Sequence, residues 1–122
     1  MKLALTTAAI MLVAAAANAA PAGVIKSKIG DVLVAKNGMT LYTFRKDANG
    51  TSNCYGGCAT SWPPMIASGG AQAEGPFTII SRKDGSKQWA KDGQPLYFWI
   101  QDRKAGDVTG HGVGNVWDAA RP

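Results

Sequence analysis

The chain has 122 residues, with 13 Lys and Arg against 8 Asp and Glu, a formal charge of +5 and 46% hydrophobic side chains. That length supports one hydrophobic core, and basic residues dispersed in pairs such as Arg45-Lys46, Arg82-Lys83 and Arg103-Lys104 argue against the clustered cationic stripe of a nucleic-acid-binding protein. One histidine and two cysteines are too few for the commoner catalytic zinc and blue-copper centres.

Taken in chain order, the first segment reads as a secretory signal. Lys2 supplies the charged start, Leu3 to Ala17 the apolar stretch, and Ala17-Asn18-Ala19 the small-residue cleavage pattern. Cleavage after residue 19 leaves a single domain over residues 20–122. The apolar stretch is shorter and more alanine-rich than the roughly 20 residues a membrane span needs, and no later segment qualifies, so no transmembrane segment is expected. A lipid anchor would need a cysteine at the cleavage site, and the first cysteine is Cys54. The expected location is periplasmic or secreted.

The next element is a β-hairpin. Asp31 to Lys36 and Thr40 to Lys46 are rich in strand formers and flank Asn37-Gly38, a pair favoured in two-residue turns where both central residues take positive φ. From Ser52 to Gly75 runs an irregular connector holding Cys54, Cys58 and Trp62-Pro63-Pro64. In an exported chain, Cys-Tyr-Gly-Gly-Cys reads first as a small disulfide loop. A reactive redox pair is the sharper alternative, although its usual form has two intervening residues at a helix N-terminus. Covalent haem attachment is excluded, because the spacing is wrong and Ala59 stands where a histidine is required.

Phe77 to Arg82 predicts another strand, and Lys87 to Lys91 with Pro95 to Gln101 a second hairpin around Asp92-Gly93. This hairpin repeats the first. A shift of 55 residues lays Ala35 to Asp47 on Ala90 to Asp102 without a gap, and Ala, Lys, Gly, Leu, Tyr and Asp recur identically at six of thirteen positions. The glycine-rich stretch Gly106 to Gly114 then predicts a loop before a last short element at Val116-Trp117. The fold class is therefore all-β: a small single domain of two repeated β-hairpin units, at about 30–66 and 77–118, with long loops, one disulfide and little helix.

Tyr42-Thr43-Phe44-Arg45-Lys46-Asp47 and Tyr97-Phe98-Trp99-Ile100-Gln101-Asp102 share the pattern Tyr-x-aromatic-x-x-Asp. With Cys54, Cys58-Ala59 and Trp62-Pro63-Pro64 between them, the chain resembles the bacterial family of secreted repeats and predicted lipoproteins named for its Yx(FWY)xxD motif. That resemblance covers about Gly30 to Trp117. It implies the repeat architecture, and it implies no activity, because the family's function is generally described as unknown. The chain departs from lipoprotein relatives in lacking the junction cysteine.

The repeated residues are the candidate site. Period-two alternation sets Tyr42 with Phe44, and Tyr97 with Trp99, on one strand face, where they are either core or a ligand-facing aromatic surface. Asp47 and Asp102 either cap turns, contact a ligand or ion, or act as a carboxylate pair. Asp47 to Ser52 opens like a calcium loop, but the later oxygen ligands do not follow. His111 lies between glycines and reads as a loop residue; a haem or copper role with Met39 or Met65 is the weaker reading. No Gly-x-Ser-x-Gly or phosphate loop is present, so no enzyme is expected. The four tryptophans with Asp and Asn neighbours would suit carbohydrate rings. These features describe an exported, non-enzymatic periplasmic binding module for a small ligand, an envelope polymer or an envelope protein, with no cofactor. The alternative is an accessory of periplasmic electron transfer that binds haem or metal.

Overall fold

A computed structural model describes residues 20–122; the segment expected to be a signal, residues 1–19, lies outside the described residues. Strands β1 (Ala22–Ser27) and β2 (Gly30–Ala35) form an antiparallel hairpin, and β3 (Tyr42–Phe44) follows. The short helix α1 (Gly57–Ser61) lies in the connector. Then come β4 (Phe77–Ser81), β5 (Lys87–Lys91) and β6 (Gln94–Pro95), joined as a three-stranded meander, and β7 (Trp117–Ala119), which pairs with β3. A 3₁₀ turn at Val113–Asn115 precedes β7.

The domain is all-β with little helix and one disulfide, as expected, but three details differ. β1 has no counterpart among the expected elements; it is a largely exposed edge strand, and its adjacent Val24 and Ile25 give no clean alternation to read. The strands after both turns are shorter than predicted, because they pair in turn with different neighbours. The two turns also belong to different classes. Asp92 and Gly93 take φ of 51° and 83°, the two-residue turn predicted. At the first site only Gly38 has positive φ, and Ala35 N–H bonds the Met39 carbonyl, so the turn has three residues and Asn37 stays on the ordinary side of φ. The β1–β2 connection has the opposite bias, spanning two residues after Ser27, where β4–β5 spans three after Arg82. The one-residue differences cancel, which restores the shift of 55 beyond the second turn.

The two units meet at their repeated tyrosines. Tyr42 N–H bonds the Tyr97 carbonyl at 2.8 Å and Tyr97 N–H returns a bond of 3.0 Å to Tyr42, a reciprocal antiparallel pair. Ala119 flanks Tyr42 on one side and Pro64 flanks Tyr97 on the other. Residues 64 and 119 are themselves 55 apart, and the bonds Met65 N to Leu96 O and Ala120 N to Leu41 O repeat the relation. The units are thus related by an approximate two-fold between Tyr42 and Tyr97. Both faces of this cross-unit ladder are buried: Leu41 and Leu96 enter a cluster with Leu33, Met65, Phe77 and Trp89, while Tyr42 and Tyr97 enter another with Trp62, Trp117, Val32 and Cys54.

Candidate functional site

Four of the six repeated side chains converge in two crossed pairs. Tyr42 donates its hydroxyl to Asp102 Oδ2 at 2.6 Å, and Tyr97 donates to Asp47 Oδ2 at 2.7 Å, so the tyrosine of each copy is held by the aspartate of the other. Each aspartate also accepts a backbone N–H from the loop that follows it, from Asn53 and from Thr109 respectively. Both tyrosines are fully buried. Burial pushes both phenols well above their ordinary pKa, and bonding to a carboxylate adds to the effect, so they stay neutral donors. Burial likewise raises the Asp47 carboxyl, against the lowering effect of its bonds from Tyr97 and Asn53.

The aromatic partners of these tyrosines form a continuous stack. Phe44 lies on Trp117 at 4.2 Å between centroids, Trp117 on Trp62 at 3.8 Å, and Trp62 on Trp99 at 3.9 Å. Tyr42 meets Trp62 edge-on at 5.4 Å, and Tyr97 meets Trp117 at 5.2 Å. Trp62 and Trp117 are again 55 residues apart, so the stack shares the two-fold, with the inner pair buried and Phe44 and Trp99 partly exposed at its ends. Continuing the self-comparison past Asp47 would have found this match.

Sequence reasoning also missed the support behind Tyr97. Ser52 Oγ lies 2.7 Å from the Tyr97 hydroxyl and accepts a bond from Arg82 Nη1. Arg82 is buried, bonds Gln88 Oε1 and the Cys54 carbonyl, and lies 4.3 Å from the Tyr55 ring centroid. Its charge reaches Asp47 through two hydroxyls. The Cys54–Cys58 disulfide, present as expected, fixes the loop that supplies this carbonyl. His111 is exposed, and its Nδ1 accepts the Ala119 N–H, which sets the proton on Nε2. Among the described residues no group of three or more His, Cys, Asp or Glu converges as metal ligands.

Where the repeated residues hold the units together, the residues that differ shape the surface. One face carries a cleft of about 610 Å³ floored by Met65, Ile66, Trp89 and Phe98 with Lys36 and Asn37 at its rim. A second cleft of about 300 Å³, lined by Met39, Pro63, Trp99 and Ile100, shares Asn37 and Phe98 with the first. Together they make one trough, apolar along Met65, Trp89, Phe98 and Ile100 and polar at Lys36, Asn37, Ser68 and Gln72, from which Ile66 and Ile100 project more than half exposed. Thr40, fully buried in its wall, has a hydroxyl with no hydrogen-bond partner among the described residues.

The two-fold places a second pair of clefts on the other face, and its chemistry is inverted. Phe98 corresponds to Thr43, Ile66 to Arg121, Met39 to Gln94, Ile100 to Arg45 and Pro63 to Asp118. Arg45 and Asp118 close that face with a two-point ion pair at 2.8 and 2.9 Å, which holds the Asp118 carboxyl below the usual range. Arg121 is spent on the Ile29 and Asp31 carbonyls. The cleft volumes there are about 230 and 220 Å³.

A duplicated β unit, closed on itself by crossed side-chain pairs, defines a small two-repeat domain. The chain belongs to the family described as a secreted repeat of unknown function, which it matches over residues 23–65 and again over 78–121. No curated protein and no solved structure matches it. Among the described residues no helix is long and apolar enough to cross a membrane.

Proposed function

We propose that this secreted repeat is a non-enzymatic binding module of the bacterial periplasm, exported by a signal at residues 1–19, and that its ligand lies in the trough. The observation that carries the reading is the inversion between the two faces. A duplication starts with equal surfaces, and here five matched positions are polar on one side and apolar on the other, against one pair, Thr40 and Pro95, that runs the opposite way. Exposing Ile66 and Ile100 costs hydration free energy that a structural role does not recover. A large apolar cleft with a few rim donors is the usual form of a small-molecule site. The repeated Tyr and Asp residues serve this module by fixing the units against each other, and Phe44 and Trp99 by ending the stack.

The test exchanges residues between faces. A neutral environment-sensitive dye such as Nile red is expected to brighten on the wild type, and Phe98→Thr with Ile66→Arg, each borrowing its counterpart's residue, should reduce that binding at least tenfold. Thr43→Ser on the opposite face should leave it unchanged. Equal dye binding by the wild type and the double variant, with both folded by circular dichroism, would sink the reading.

A further inference from the structure

We infer that the trough takes an amphipathic anion, an apolar chain ending in one carboxylate or phosphate that is held at Lys36 and Asn37. This rests on the trough reading above and adds the identity of the head group. The head group is read from the sequence repeat, now applied to the rim. Lys36-Asn37 aligns in sequence with Lys91-Asp92, although the first turn is one residue longer, so Lys36 lies in its turn where Lys91 ends a strand. Lys91 Nζ lies 3.0 Å from Asp92 Oδ2, so that lysine is neutralised by its neighbour. At the trough the neighbour is an asparagine, and among the described residues the Lys36 ammonium has no partner.

Asn37 adds donors of its own. Its Oδ1 accepts the Met39 N–H at 3.0 Å, which fixes the amide and leaves the Nδ2 hydrogens for an outside acceptor. The rim therefore offers an ammonium and an amide N–H₂ side by side, both donors, at the mouth of an apolar cleft. Among the described residues the one carboxylate lining the trough, Asp102, already accepts from Tyr42, from Thr109 N–H and from Thr109 Oγ1. It is committed to the fold and has no cation beside it in need of neutralising. An anionic head at the rim and an apolar chain along Trp89, Phe98 and Ile66 satisfy both halves of the site.

Calorimetry with four twelve-carbon probes below their micellar concentrations tests this: dodecanoate, dodecyl phosphate, neutral dodecyl maltoside and cationic dodecyltrimethylammonium. The wild type is expected to bind at least one of the anions tenfold or more tighter than the maltoside, and the cation weakest. Which anion is tighter separates a carboxylate ligand from a phosphate one. Asn37→Asp, which sets a carboxylate next to Lys36, should remove the anion preference while maltoside binding persists. Lys36→Gln should do the same. Equal affinity for the anions and the maltoside, with binding still abolished by Phe98→Thr and Ile66→Arg, overturns the head-group assignment and leaves the trough standing. Failure of every probe and of the neutral dye overturns both.

Discussion

The crossed Tyr–Asp bonds are alike in geometry and unlike in surroundings, and the difference predicts unlike responses to the same substitution. Tyr42 already accepts the Gly110 N–H, and Asp102 already receives both Thr109 donors. Asp102→Asn would bring an N–H₂ against a hydroxyl whose own proton then has no acceptor in a fully buried position, an unmet bond worth about 1–3 kcal/mol. Ser52 Oγ already accepts from Arg82 Nη1 and the Cys54 N–H, so it cannot take the Tyr97 proton, but Asp47 is only half-buried and water can, so Asp47→Asn should cost less. Chemical denaturation of the two variants at neutral pH should rank them in that order. Their pH dependence adds a second check. The folded Asp47 carboxyl is raised above its unfolded value by burial, so the folded state binds the extra proton as pH falls and gains stability through that window. The Asn variant lacks this gain, so its stability relative to wild type should fall between pH 7 and pH 4. A difference constant with pH would mean the carboxyl is not desolvated.

At the level of elements, the part of the fold that sequence made legible is the part that local chemistry dictates. Asp92-Gly93 forces a two-residue turn because both residues accept positive φ, and the duplicated hairpins follow from it. Cys54 and Cys58, four positions apart in an exported chain, close their loop as composition suggests. Equal motif spacing in the two copies fits a Tyr–Asp bond within a copy as well as between copies, so the crossing was not legible. Nor was Asn37, whose turn length is set by the pairing of Ala35 with Met39 instead of by its own preference. Gly110 shows the same limit. It lies in a stretch that the sequence predicts only as a loop, yet a Cβ there would come within 2.9 Å of Trp62 and of the Tyr42 ring. Gly110→Ala should therefore cost about 1–3 kcal/mol by overpacking, visible as a lower thermal midpoint and an altered near-ultraviolet signal from the tryptophan stack. A variant as stable as wild type would show that the stack has room to shift.

For the whole molecule, identity and difference between the units do separate jobs. Identical residues attract attention in a self-comparison, and here they join the two halves: the ladder through Tyr42 and Tyr97, both crossed side-chain bonds, and the Trp62–Trp117 contact all run from one unit to the other. The trough is made where the units diverge, which no search for repetition ranks highly. This division has a folding consequence. Residues 20–75 and 76–122 each keep only a meander exposed on both faces, because Leu41 and Tyr42 find their partners Leu96 and Tyr97 in the other half. Chains of about 50 residues have little burial to spare for the entropy of ordering. Each fragment expressed alone should therefore be largely unfolded by amide chemical-shift dispersion, and mixing them should restore one dispersed spectrum with a concentration-dependent midpoint. A single fragment that folds by itself would show that one repeat carries its own core, and the two-fold interface would then be a docking of finished units instead of the place where the domain is made.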